Sequence, residues 1–166
     1  MKKVVVIGCP GSGKSVFSRK LSEICGLPLV HLDNLYWNAD ATTVDREVFL
    51  SKLCFALESD AWIIDGNYIS TMEMRISRCD TVFFFDLPTE VCIEGIRQRV
   101  GKRRDDIPWI EREIDDEFLS FVENFNIQTK PKIIDILYQS KHKRIIRFGS
   151  REQSEEYLYS IKNELI

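Results

Sequence analysis

The feature that most constrains this chain is a glycine-rich octapeptide that directly follows a short apolar run. Val4–Ile7 is a continuous β-branched run, typical of a strand buried on both faces. The next eight residues, Gly8 to Ser15, read GCPGSGKS and match the pattern GxxxxGK[ST]. Its glycines let successive backbone amides turn toward phosphate oxygens, and the helix that follows adds its N-terminal amides. The sequence therefore predicts a P-loop that binds a nucleoside triphosphate.

Each position of the octapeptide has a predicted task. Lys14 supplies a mobile charge for the β- and γ-phosphates, and the Ser15 hydroxyl is a ligand for Mg²⁺. The expected cofactors are therefore ATP and Mg²⁺. A glycine-rich turn that matches by chance is the alternative, and the strand before the motif and the amphipathic helix after it argue against chance. The remaining residues assigned to the triphosphate site are Gly8, Pro10, Gly11, Ser12, Gly13 and Val16.

Five apolar runs separated by helical patterns indicate a parallel α/β sheet. The runs are Val4–Ile7, Leu27–Leu32, Ala61–Ile64, Thr81–Phe85 and Arg144–Phe148. We therefore expect a three-layer P-loop NTPase fold, with a five-stranded parallel sheet flanked by helices. A length of 166 residues favours a single domain over residues 1–166. Two insertions are expected on this core: an acceptor-binding insertion at 34–60, and a short lid with its following helices at 101–140.

The remaining patterns predict the connections between strands. Residues 34–38 have the composition of an irregular loop, and an amphipathic helix follows over 49–57. A helical stripe of apolar residues runs from Ile110 to Phe125, and a closing helix is expected from Ser150 to Leu165.

Composition excludes several classes of protein. The chain has 23 Lys and Arg against 26 Asp and Glu, so it lacks the overall positive field of a dedicated DNA binder. Its five cysteines form no CxxC pair, which indicates reduced core residues and not a zinc site or a disulfide framework. No apolar segment approaches the roughly 20 residues that span a bilayer. We expect a cytoplasmic monomer or homodimer with no membrane partner.

Three aspartates directly follow apolar runs: Asp33, Asp65 and Asp86. The carboxyl ends of parallel strands line the ligand crevice of an open sheet. Asp33 is predicted to orient or deprotonate an acceptor hydroxyl, Asp65 to contact the acceptor, and Asp86 to act as a metal ligand. The alternative is that these aspartates cap helices or begin turns.

Beyond the P-loop, two further stretches resemble adenylate kinases. Residues 63–68, IIDGNY, are similar to their LDGFPR stretch, and residues 84–88, FFDLP, with 94–99 look like their fourth strand and the helix running into the lid. With HLD at 31–33, the ordered set resembles the DNA topology modulation protein family (FlaR-like), a branch of the adenylate kinase-like P-loop proteins. The resemblance implies a kinase-like fold. However, Asn67, Tyr68 and Ile69 replace the Phe-Pro-Arg of adenylate kinases, which counts against AMP as the acceptor.

The resemblance also implies roles for two arginines of the lid and for the residues that follow the fifth strand. Arg99 matches a lid-base arginine, whose charge would stabilise the moving phosphoryl group, and Arg103 would lie on the lid against the nucleotide. The alternative is a solvated charge run balanced by Asp105 and Asp106. Gly149 and Ser150 follow the fifth strand, where adenylate kinase-like proteins hold the adenine through backbone contacts.

Four further side chains are candidates for the acceptor site. Tyr36, Trp37 and Tyr68 are expected to stack on a base, and Arg75 to grip an acceptor phosphate or acidic group. The alternatives are ordinary wall residues for the three aromatic side chains and a surface helix arginine for Arg75.

Together these residues predict a phosphotransferase that moves the γ-phosphate of ATP, with Mg²⁺, to a small nucleoside, nucleotide or other hydroxyl acceptor. The alternative is a nucleotide-binding regulator or weak ATPase that influences DNA topology, although no residue indicates direct DNA contact. A GTPase switch is disfavoured, because the sequence has no Asn-Lys-x-Asp guanine motif.

Overall fold

The computed structural model describes residues 1–164 and contains a five-stranded, entirely parallel sheet. The strand order is β2-β3-β1-β4-β5, with β1 at the centre. Val4 of β1 lies opposite Ile63 of β3 on one side and Thr81 of β4 on the other. The predicted α/β fold is confirmed. The strands are β1 Lys3–Gly8, β2 Leu29–His31, β3 Trp62–Asp65, β4 Thr81–Phe85 and β5 Arg144–Phe148.

Helices cover both faces of the sheet. Aromatic packing fixes the position of α1, the helix that begins with the P-loop lysine. Every residue of β3 and β4 is buried, as expected for strands covered on both faces. Phe17 of α1 packs edge-on against Phe83 and Phe85, at centroid distances of 4.8 and 5.3 Å. The helices are α1 Lys14–Cys25, α2 Leu32–Tyr36, α3 Arg46–Glu58, α4 Ile69–Arg78, α5 Thr89–Arg99, α6 Asp116–Glu123, α7 Phe125–Gln128, α8 Lys130–Gln139 and α9 Arg151–Glu164.

Two of the predicted connections are wrong. The expected loop at 34–38 is largely helical, because α2 begins directly after β2. The stripe from Ile110 to Phe125 is not one helix, since α6 begins only at Asp116, where the Asp115 side chain accepts from the Glu117 amide at 3.4 Å. Residues 101–115, here called the lid segment, have no regular secondary structure, and Ile110 and Ile114 line a cavity instead.

The closing helix begins at Arg151 and is described as far as Glu164, so the predicted end at Leu165 lies outside the described residues. Within residues 1–164, no helix has both the length and the apolar character needed to cross a bilayer.

Backbone contact between the P-loop and α5 fixes the position of the loop. Gly11 has a φ of 80°, and a Cβ there would lie 2.0 Å from the carbonyl oxygen of Cys92. In return, a Cβ on Gly95 would lie 2.0 Å from the carbonyl oxygen of Gly11. The two glycines therefore let loop and helix touch without intervening side chains, and only the first of them belongs to the motif.

The close approach predicts that Gly95→Ala destabilises the protein. Alanine favours a helix interior over glycine by about 1 kcal/mol, but its methyl group overlaps the Gly11 carbonyl. We expect a net loss of about 1–3 kcal/mol in the free energy of unfolding, measured by urea denaturation. Gly149→Ala is the control, because its nearest neighbour would be Gln153 Oε1 at 3.6 Å. A Gly95→Ala protein as stable as wild type would show that the contact is not tight.

Candidate active site

The P-loop presents free amides and a buried ammonium group to one point. Gly13, with a φ of 105°, leads into α1, and the Phe17 amide closes the first turn on the Gly13 carbonyl at 3.0 Å. The amides of Lys14 and Ser15 precede that turn, so they can donate to an anion. Lys14 Nζ donates to the Cys9 carbonyl at 2.9 Å, and Lys14 is only 9% exposed. The loop therefore holds its charge inside the curl of its own backbone.

Two side chains outside the motif brace the loop. Asn67 bonds both backbone groups of Gly8, accepting from its amide at 2.9 Å and donating to its carbonyl at 2.6 Å. Arg151 donates to the carbonyls of Gly11 and Val91, at 2.9 and 3.2 Å. The sequence assigns Asn67 to a family resemblance and to a departure from adenylate kinases, but to no contact with the loop, and Arg151 belongs to no motif. Contacts within the protein therefore hold the shape of the loop.

The lid segment places an ionised carboxylate on the P-loop serine. Ser15 Oγ donates to Asp106 Oδ2 at 2.8 Å, and Arg104 donates to both Asp106 oxygens at 2.7 and 2.9 Å. Burial raises the pKa of Asp106, but the hydrogen bonds and charge of Arg104 outweigh burial and hold that pKa at about 2. In the sequence Asp106 is only a charge that balances the arginines around it, so its contact with Ser15 is not predicted.

The donors around Ser15 suit a magnesium ion that is shared with a phosphate. Within residues 1–164, no three His, Cys, Asp or Glu side chains are arranged to hold a metal by themselves. Mg²⁺ does not require such a cage, because it keeps several waters and binds through one or two carboxylates plus phosphate oxygens. A hydroxyl from Ser15 and a carboxylate from Asp106 fit that pattern.

Two arginines share one lid carboxylate above the loop. Arg104 Nη1 donates to Glu111 at 2.5 Å, and Arg99 Nε lies 3.2 Å from the same carboxylate. The Arg99 guanidinium also lies over the Phe118 ring, 5.4 Å from its centroid. Burial and the neighbouring Arg104 lower the pKa of Arg99, which is consistent with two like charges held close together. Arg99 thus lies beside the cradle, and its role in transfer stays a prediction.

Two of the three strand-end aspartates reach the site. Tyr68 Oη donates to Asp33 Oδ1 at 2.7 Å, and burial raises the pKa of Asp33. His31 Nδ1 lies 3.0 Å from Asp65 Oδ2. Burial lowers the pKa of His31, but the hydrogen bond and charge of Asp65 raise it further, so the net shift is upward. Asp33 and Asp65 both line the larger cavity described below.

The third aspartate does not fit its predicted metal role. Asp86 forms ion pairs with Lys130, at 2.6 Å, and with Arg147, and its side chain is 5% exposed. It lines neither cavity described below. Two cations already neutralise this carboxylate, so the assignment of Asp86 to Mg²⁺ is wrong on geometry.

Arg75 also differs from its prediction. The side chain is fully buried and donates to the carbonyls of Gly66 at 2.8 Å, Tyr68 at 3.2 Å, and Asn67. Burial lowers its pKa to about 9, so the guanidinium is still charged at neutral pH. Arg75 therefore holds the 66–68 loop from behind, and the expectation that it grips an acceptor is wrong, because it does not line the cavity.

Two cavities meet at the P-loop. The larger has a volume of about 1180 Å³ and the smaller about 390 Å³. Six side chains line both: Lys14, Ser15, His31, Arg99, Arg104 and Asp106. The predicted site residues found only in the larger cavity are Pro10, Asp33, Tyr36, Asp65 and Tyr68, and those found only in the smaller are Gly11, Ser12, Gly13, Val16 and Arg103. The predicted residues Gly8, Gly149 and Ser150 line neither.

Comparison with known proteins supports the P-loop kinase fold. No family model matches the chain. An adenylate kinase from Pseudothermotoga lettingae is 24% identical over 110 residues, which cover 62% of this chain and 49% of that enzyme. The matched region thus spans about half the length of this relative.

Solved structures show the same fold at low sequence identity. A gluconokinase from Sinorhizobium meliloti aligns with a TM-score of 0.59 and 14% identity, covering 99% of this chain and 91% of its own. A shikimate kinase from Bacteroides thetaiotaomicron aligns with a TM-score of 0.55 and 16% identity, covering 98% of this chain and 96% of its own. A shikimate kinase from Aquifex aeolicus aligns with a TM-score of 0.55 and 18% identity, covering 98% of this chain and 95% of its own. The chain therefore has the adenylate kinase-like P-loop kinase fold, and the resemblance to the DNA topology modulation family stays a prediction.

The contacts of Arg75 predict that Arg75→Met is strongly destabilising. Methionine keeps apolar volume but removes the donors to the carbonyls of the 66–68 loop. We expect a loss of about 2 kcal/mol or more in the free energy of unfolding by urea denaturation. Arg78→Met on the exposed face of the same helix is the control and should change stability by less than about 0.5 kcal/mol. Equal losses in the two variants would refute the special role of Arg75.

Proposed function

We propose that this protein is a phosphotransferase that moves the γ-phosphoryl group of ATP onto the hydroxyl group of a small acceptor. The observation that carries the proposal is the pair of cavities that share their walls at the P-loop. A donor in the smaller cavity and an acceptor in the larger would meet at Lys14. Holding two reactants in line at one point supplies much of the catalysis of phosphoryl transfer. The kinases among the compared proteins support the same reaction class.

The donor's phosphates would bind to the amides and the lysine of the P-loop. Ser15 and Asp106 would hold Mg²⁺, which, when bound, neutralises charge on the β- and γ-phosphate oxygens. Arg99 and Arg104 bring two further positive charges to the cavity wall beside Lys14. Negative charge spreads over the oxygens of the moving group, so fixed cations stabilise the transition state more than the ground state.

Asp33 has the properties required of the residue that receives the acceptor hydroxyl. The Tyr68 hydroxyl holds one carboxylate oxygen, Oδ1, at 2.7 Å, which leaves Oδ2 for the acceptor. Burial raises the pKa of Asp33 and so makes it a better proton acceptor than an exposed aspartate. Asp33 would orient the hydroxyl and take its proton as the new bond to phosphorus forms.

The lid segment would keep water away from the reacting groups. Arg19 pairs with the side chain of Asp105 at 2.6 Å, and Asn34 donates to the Asp105 carbonyl at 2.7 Å. With the Ser15–Asp106 bond, these contacts fasten the lid segment across the cradle. Exclusion of water favours transfer to an acceptor over hydrolysis. A regulator that only binds nucleotide, or a weak ATPase, would have no second substrate and so would not need a large second cavity beside the phosphates.

Acceptor-dependent ADP formation tests the proposed reaction. Wild-type protein with MgATP is expected to release ADP faster when a member of a panel of nucleosides, nucleotides and small alcohols is added. Lys14→Ala should lower that rate by about 100-fold or more, because an interaction with developing charge is lost. Lys20→Ala is the matched control, since Lys20 lies on the same helix but pairs with Glu155 at 2.7 Å. An unstimulated rate with every panel member would instead favour the regulator or weak ATPase.

Asp33→Asn should separate catalysis from ATP binding. We expect kcat to fall by about 100-fold or more, with little change in the KM for ATP. In the wild type, kcat/KM should fall as Asp33 is protonated, with a midpoint above the ordinary aspartate pKa of about 3.9. That acid limb should be absent from Asp33→Asn. Asp60→Asn, at an exposed position, is the control. An unchanged kcat for Asp33→Asn would refute the assigned role.

A further inference from the structure

Five aromatic rings form part of the wall of the larger cavity. Successive ring centroids are 5.1 to 5.5 Å apart, and most pairs meet edge to face. Such a wall offers both faces and edges to a flat ligand ring. The members of this aromatic box are Tyr36, Trp37, Phe49, Tyr68 and Trp109.

The box is built from distant parts of the chain and is completed by the lid segment. The Val44 amide donates to the Tyr36 carbonyl at 2.8 Å, and Trp37 forms a bridge to Thr43, so a short hairpin holds these two rings. Trp109 comes from the lid segment and lies 5.3 Å from Trp37. Both tryptophans are partly exposed, so ring surface remains for a ligand. The lid segment that covers the phosphate cradle thus also closes the box.

The buried and half-buried arginines near this cavity are bonded within the protein, and two of them stand at the wall that it shares with the smaller cavity. Arg75 is bound to backbone carbonyls, while Arg99 and Arg104 share Glu111. Arg46 and Arg112 also line the cavity, and both are exposed, so water screens their charge. Seven carboxylates and five Lys or Arg side chains line the cavity. Among these described residues, carboxylates outnumber Lys and Arg, so the wall as a whole disfavours an acceptor that carries a carboxylate or phosphate.

We propose that the acceptor is an uncharged alcohol that carries a flat ring, such as a nucleoside without a phosphate group. This inference rests on the phosphotransfer proposed above. The ring lies in the aromatic box and its hydroxyl reaches Asp33, which is tied to the box through Tyr68. The acceptor oxygen bonds to the γ-phosphorus, the bond from that phosphorus to the β,γ-bridging oxygen breaks, and ADP leaves. The hydroxyl proton passes to Asp33.

Tryptophan fluorescence gives a test of binding that does not depend on turnover. Of the three tryptophans, Trp62 is only 1% exposed, so quenching by a ligand reports on Trp37 and Trp109. The probes are adenosine, guanosine, cytidine and thymidine, their 5′-monophosphates, pyridoxine, shikimate, gluconate and choline. We expect at least one nucleoside or pyridoxine to quench the signal, and a nucleoside that binds should do so at least tenfold more tightly than its own monophosphate. The nucleosides and pyridoxine distinguish a sugar-linked ring from a free aromatic alcohol.

Variants connect the binding to the box. Trp37→Ala should weaken binding of the ring by about tenfold, which corresponds to one lost stacking contact. Trp37→Phe keeps a ring and should restore part of the affinity. Phe55→Ala is the matched control on α3, since Phe55 is 77% exposed and lies outside the cavity wall. Both Trp37 variants replace a partly exposed side chain, so folding should be preserved.

The outcomes separate this inference from the phosphotransfer. ADP formation stimulated by shikimate, gluconate or a monophosphate, but by no uncharged ring, would overturn the acceptor class and leave the phosphotransferase standing. Binding of choline without binding of any uncharged ring would also overturn it, because a cation–π site would then explain the box. Ring binding that Trp37→Ala weakens, without any stimulated ADP formation, would support the ring site and refute phosphotransfer. Failure of every uncharged ring to bind overturns the inference.

Discussion

The rest of this structure depends on the concentration of positive charge at the start of α1. Backbone amides and one buried ammonium group, that of Lys14, converge there with little solvent to screen them. The converging charges can only be held if the backbone is fixed, and contact with α5 at Gly11 and Gly95 fixes it from one side. Asn67 and Arg151 fix it by hydrogen bonds from two other elements. The protein alone thus holds this concentration of positive charge in place.

The lid segment supplies the negative charge that offsets repulsion among the cations near the P-loop. Arginines that approach a phosphate site repel each other and the P-loop lysine unless carboxylates accompany them. Glu111 lies between Arg99 and Arg104, and Asp106 ties Arg104 to Ser15. The same segment carries Trp109 to the aromatic box. One irregular stretch therefore contacts both the P-loop serine and the aromatic box, so its position affects both.

Much of the candidate site could be read from the sequence where chemistry is local. The conformation of the P-loop could be predicted from the octapeptide, because its glycines and the start of the helix are adjacent in the chain. The apolar runs predicted all five strands to within two residues at either end. The predictions failed where burial decides the outcome. The sequence assigns Asp86 to a metal as a carboxylate after a strand, and Arg75 to the acceptor as a cation one to two turns past Tyr68. Both are instead satisfied within the protein, Arg75 by carbonyls and Asp86 by two cations.

The sequence by itself determined the phosphate cradle, the parallel sheet and the strand ends at which Asp33 and Asp65 stand, since each follows from neighbours along the chain. Only the tertiary structure decided which distant charges pair. Asp106 meets Ser15 across 91 residues, and Tyr68 meets Asp33 across 35. Pairing at that distance depends on how the lid segment and α4 pack on the sheet, and no spacing rule in a single sequence encodes that packing. The chemistry of the larger cavity is therefore a property of the fold.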